Sequence, residues 1–261
     1  MGDFTAMGDV GRIMLSSIAP LIIVAIGWRN TSFFYGALSL FFLSLIVFFR
    51  NKSNSVSLDN KKSEMNFLQL IKNKKFFLAL LTSFFDNLAS SALFAFLPFL
   101  LLKRNINPSL LGLFAGAFLV GNLLGKVGLG RLADKFKNTT VFIVAEFLMA
   151  VFIFLLTVSS SQFLIVGFSI ILGILTAGTI PVRTTFISES THHLNQHEKV
   201  FSISSLVATL ATSLAPIVLG RVADLYGIIN AFYAAALFAI LALIPAFLFS
   251  KSKNNKPSLL Y

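Results

Sequence analysis

Runs of about twenty apolar residues, parted by short charged islands, recur along the whole 261-residue chain. A bilayer core about 30 Å thick needs ~20 predominantly apolar helical residues to cross it. That ruler predicts eight spans, at 13–28, 31–49, 76–102, 109–129, 140–158, 163–186, 200–220 and 230–250. The runs lack the period-2 alternation of membrane barrel strands, so helix is the form expected. The predicted fold class is an all-α polytopic membrane protein. Pro20, Pro98, Pro181, Pro216 and Pro245 fall inside spans, where kinks and packing points tolerate them.

Composition agrees. Charged residues are 12% of the chain, where a soluble domain carries about 25%. The net charge of +11 would suit a nucleic-acid partner. That partner is not expected, because Lys and Arg sit between apolar runs and form no stripe along one face. The chain has no cysteine, which removes disulfides, thiolate metal sites and a cysteine nucleophile. The first apolar run starts at Ile13 and shows no small-residue cleavage pattern after it, so no signal peptide is expected.

Loop charge sets the orientation. Segment 50–75 holds Arg50, Lys52, Lys61, Lys62, Lys72, Lys74 and Lys75, and the loop 131–139 holds Arg131, Lys135 and Lys137. Lys199 and the tail lysines Lys251, Lys253 and Lys256 fall on the same side. The alternate loops hold only Arg29, Lys103, Arg104 and Arg221. Both termini are therefore predicted to be cytoplasmic, in a bacterial-type inner membrane. Segment 50–75 is the long linker; it divides two helices (1–49) from six (76–250), with 251–261 as a tail. Within it "MNFLQLIKNKKFF" reads as a short amphipathic helix on the membrane surface.

Two self-similarities organise the spans. "GRLADKF" at Gly130 returns as "GRVADLY" at Gly220, and the flanking spans share this ninety-residue offset. Three helices repeated by three helices must have opposite orientations, which is an inverted-topology repeat. It puts Gly130–Asp134 inside and Gly220–Asp224 outside. The second similarity matches Ser17, Ala19 and Pro20 to Ser213, Ala215 and Pro216. The first two spans thus read as the last two of a six-helix unit.

"GRLADKFKN" resembles the signature G-x-L-A-D-R-x-G-R-K that joins the second and third helices of each half in the major facilitator superfamily. Gly130, Leu132, Ala133 and Asp134 match it; Lys135 stands for Arg, and Lys137 replaces the second glycine. The resemblance covers essentially the whole chain, as helices five to twelve of a twelve-helix transporter. It implies a complete C-terminal half and alternating-access transport of a small solute. It also implies that Gly130, Arg131, Leu132, Ala133, Asp134, Lys135 and Lys137 act as a conformational latch. The fifth-helix G-P-x-x-G-G of drug–proton antiporters is matched here by "APLIIV", Ala19 to Val24, which weighs against an efflux antiporter. On the residues alone, Gly125 and Gly130, with Gly128 beside them, allow close helix approach. Asp134 suits a neighbouring helix N-terminus, and Lys135 and Lys137 suit an anionic leaflet.

Ionisable residues at membrane depth are costly and read as functional. Asp86, with Asn87 beside it, is a candidate for a cationic substrate or a coupled proton. Asn122 faces the cavity if its helix is so rotated. Arg183 is expected to snorkel to the interface, with an anion site or a partner for Asp134 as the alternative. Glu146 is expected to pair with Lys126 as a structural ion pair. His193 and His197 lie four apart but lack a third ligand, so no metal is expected. No phosphate-binding loop or nucleophile elbow appears; the chain reads as neither pump nor enzyme, with no cofactor.

The expected partners are the lipid bilayer, a small-molecule substrate and a coupling proton or sodium ion. The four helices that the resemblance leaves unaccounted for give two alternatives: a truncated remnant without transport, or a module completed by a partner chain. A membrane scaffold ranks last.

Overall fold

The computed structural model describes residues 22, 26–45, 48, 70, 72–107, 110–191 and 197–252. Most of segment 50–75, His193, Pro20 and residues 253–261 lie outside them. The chain clusters into two compact units, one of Met7–Met65 and one of Met1–Ala6 with Asn66–Tyr261.

In the first unit residues 26–45 form a continuous helix. The turn expected at Arg29–Asn30 is therefore absent. The left-handed backbone lies just before it, at Gly27 with φ 80°, and the Asn30 and Thr31 side chains bond back to the carbonyls of Ile26 and Gly27.

The second unit is built from α1 (Lys74–Ser90), α2 (Leu93–Lys103), α3 (Leu111–Lys135), α4 (Asn138–Val158), α5 (Gln162–Thr191), α6 (His197–Tyr226) and α7 (Ile228–Lys251). Counting α1 and α2 as one span, Lys74–Lys103, six helices are long and apolar enough to cross a membrane. Every regular element among the described residues is helical, as expected where backbone groups must be satisfied within the segment. Large apolar side chains such as Phe147, Phe154, Ile217 and Phe247 stand exposed on the outside. In water such a surface would drive association; lipid is the solvent it fits.

Three boundaries differ from expectation, each for a local reason. The predicted single span 76–102 is broken at Ser91–Ala92, where the Ser91 N–H still reaches the Asn87 carbonyl at 3.1 Å before the chain re-enters helix. The loop expected at 131–139 is not a loop: Gly130 to Lys135 are the last turns of α3, which ends only at the extended Phe136. Likewise "GRVADLY" completes α6, and the turn is Gly227, at φ 91°. Charge does not end a helix. At 1.5 Å per residue, the 25 residues of α3 run about 38 Å, so the last turns project past the hydrocarbon.

The ninety-residue repeat is visible in the packing. α3 lies closely against α5, and α6 takes the equivalent place against α1. An added Cβ at Gly121 would strike the Ile170 carbonyl, one at Gly125 the Ile174 carbonyl, and one at Gly173 the Phe118 carbonyl. Ninety residues on, Ala211 and Ala215 replace Gly121 and Gly125 and are fully buried. The third helices complete the pattern: α7 packs on α1, and α4 on α5. α7 carries Ala231, Ala235, Ala239, Ala242 and Ala246 as a buried stripe at helical spacing. Gly128 meets nothing within 4 Å and Gly130 only the Pro181 ring at 3.8 Å. Of the glycines assigned to close approach, Gly125 alone makes it; Gly128 lies on an exposed face of α3.

Candidate functional site

Asp86 sits twelve residues into α1, about 18 Å along its axis, and is fully buried. Its carboxylate is ion-paired with the Arg183 guanidinium from α5, and its other oxygen accepts a 3.0 Å hydrogen bond from the Thr179 hydroxyl. Thr176, Thr179 and Arg183 follow one another by three and four residues, so one face of α5 carries all three. Thr176 donates to Asn122 Oδ1 at 3.2 Å, which ties α3 into the cluster. Asn87 donates to the Ser83 carbonyl at 2.6 Å and accepts from Thr212 of α6 at 3.4 Å. Four helices thus meet through one band of polar side chains inside an apolar bundle.

Arg183 does not snorkel. Only 13% of its side chain is exposed and it turns inward to Asp86, because a buried carboxylate without a cation would cost several kcal/mol. It therefore does not pair with Asp134, which is exposed at the end of α3.

Glu146 also departs from expectation. Both of its oxygens are buried without a hydrogen-bond partner, so the pair with Lys126 does not form. The charges whose fields reach it are those of Asp86 and Arg183. α4 presents Glu146 to the bundle interior, where Ala145, Met149 and Ile153 are buried with it.

The latch residues stand apart from this band. Arg131, Leu132, Asp134, Lys135 and Lys137 are exposed, and Gly130 and Ala133 half-buried, at the end of α3. His197 begins α6, its side chain outside the described residues. On the opposite rim, Arg104 donates to the carbonyls of Thr157, in the last turn of α4, and Ser159, just past its end. Burial lowers its affinity for its proton from the usual guanidinium value.

Sequence reasoning missed Thr176, Thr179 and Thr212. The signal was present in "TAGTIPVR", whose three- and four-residue spacing puts two hydroxyls and a cation on one helical face.

A repeated trio of membrane-length helices around a buried ion pair defines a polytopic membrane protein. Residues 79–259 match the profile of the Major Facilitator Superfamily. The chain belongs to that superfamily, a family of transporters. Among curated proteins, a "Probable nitrate transporter NarT" of Staphylococcus epidermidis is 27% identical over 245 residues. The match covers 91% of this chain and 61% of that relative.

Proposed function

We propose that the chain works as a secondary transporter by alternating access, and that the Asp86–Arg183 pair is its operative site. The observation that carries this is a complete ion pair at mid-bundle, joined by Thr179 and flanked by Asn87 and Asn122. Such a pair contributes little net stability, since desolvation offsets its attraction. A stable bundle does not need it, and an ion or solute path does. Arg183 supplies the charge that an anionic solute would meet, with Asp86 as the group that holds it in the absence of solute. Nitrate, named for the relative, is the first solute to test. The exposed faces of α3 and α6, the two spans least covered within the unit, suit packing against another helical bundle. In this reading the latch residues at the end of α3 gate alternating access, and the basic islands favour a cytoplasmic position for Lys135 and Lys137 at an inner membrane.

Uptake of labelled nitrate into liposomes holding the purified chain is the direct test. Accumulation above empty liposomes is expected, with loss of at least tenfold in Asp86→Asn and Arg183→Gln. Unaltered accumulation in both variants sinks the assignment of the pair.

A further inference from the structure

We propose that Glu146 is the proton-carrying member of a buried trio with Asp86 and Arg183, held as a neutral carboxylic acid. The trio is then a store for one proton. Its use in transport rests on the reading above; its existence does not.

Glu146 is fully buried, and neither oxygen has a hydrogen-bond partner. Asp86 takes both the guanidinium of Arg183 and the hydroxyl of Thr179. One cation therefore faces two carboxyl groups. With both ionised, an uncompensated negative charge would sit buried among six apolar helices. A buried ion without a partner costs far more than taking up a proton, so such a group neutralises. Asp86 has the cation and the hydrogen bond and keeps the charge; Glu146 has neither and keeps the proton.

Among the described residues, the charges that act on Glu146 are those of Asp86 and Arg183. α5 contributes Arg183, already engaged, and Glu189, which accepts from Asn138 at the very start of α4 at 2.8 Å. α7 packs on α4 as well, but its titratable side chains stand elsewhere: Tyr233 lies toward Arg104, and Lys251 at the far end. α3 carries Lys126, which makes no hydrogen bond to Glu146, and Arg131, Asp134 and Lys135, exposed at its end.

The store has a use in the proposed cycle. When the Glu146 O–H bond breaks and an O–H bond forms on Asp86, the negative charge moves to Glu146 and Arg183 stays positive. Net charge within the trio is unchanged, and Arg183 shifts its ionic hold from Asp86 toward the newly charged Glu146, which reorients the guanidinium within the site. Glu146 is thus a positioning residue, acting through Asp86 and Arg183.

Infrared absorption of the purified chain in lipid at neutral pH tests this, because a protonated carboxyl and a carboxylate absorb separately. The expected result is a protonated-carboxyl band that moves when glutamate side-chain carboxyls carry carbon-13 and stays when aspartate is labelled instead. Labelling uses the wild-type chain, so it does not depend on any variant folding. Glu146→Gln should lose the band, and Glu189→Gln, at an exposed site, should keep it. Absence of the band, or a band that follows labelled aspartate, overturns the proposal. A glutamate band without nitrate uptake upholds the proton store and counts against the transport reading. Uptake without the band does the reverse.

Discussion

At the scale of single residues, the site is a question of which charges find partners. Removing one member of a buried pair leaves the other uncompensated, at a cost of about 3–5 kcal/mol. Arg183→Gln should therefore unfold far more readily than wild type, while the double variant Asp86→Asn/Arg183→Gln should recover much of the loss. Thermal unfolding in detergent checks this as a double-mutant cycle. A strictly additive result would mean that the two side chains do not depend on each other. The same accounting explains why Asp86 and Arg183 were each legible as candidates and their pairing was not. A carboxylate ten or twelve residues inside an apolar run is conspicuous in any reading. Whether Arg183, near a span end, turns outward to lipid headgroups or inward to α1 depends on a neighbour 97 residues away.

At the scale of elements, the α3–α5 crossing is set by backbone-to-backbone approach. Gly125→Leu and Gly173→Val each place atoms where the partner helix has its carbonyls. Overpacking of this kind costs typically 1–3 kcal/mol and sometimes more, and here the obstacle is backbone that cannot rotate aside. Both variants should lower the unfolding temperature well below that of Gly128→Ala, whose added methyl meets open space. Equal effects at Gly125 and Gly128 would contradict the crossing. The helix ends carry a related lesson. The predicted spans ended where apolar residues ended, yet α3 and α6 run on through their charged turns. What stops α6 is Gly227, whose φ of 91° suits a residue without a Cβ.

At the scale of the whole molecule, sidedness is the property most open to measurement. The chain has no native cysteine, so single cysteines report without background. Lys137→Cys and Asn230→Cys lie at exposed positions on opposite ends of the repeat. Labelling of intact cells with a membrane-impermeant maleimide should modify Asn230→Cys and spare Lys137→Cys until the membrane is opened. Labelling of both from outside would refute the inverted repeat as the topology of this unit.

The sequence by itself determined the solvent, the number of spans from residue 74 onward, the three-helix repeat and the superfamily. These follow from local facts: apolar run length, the ninety-residue echo of "GRLADKF", and where lysines cluster. Only the tertiary structure decided which polar residues share a site. Glu146 is the clearest case. Its run, "VFIVAEFLMAVF", is apolar on every side, so periodicity could not say which face turns inward. The packing of α4 on α5 and α7 turned it toward Asp86 and Arg183. Burial charge balance is a three-dimensional quantity, because a charge is compensated by what lies across the helix interface and not by what lies beside it in the chain.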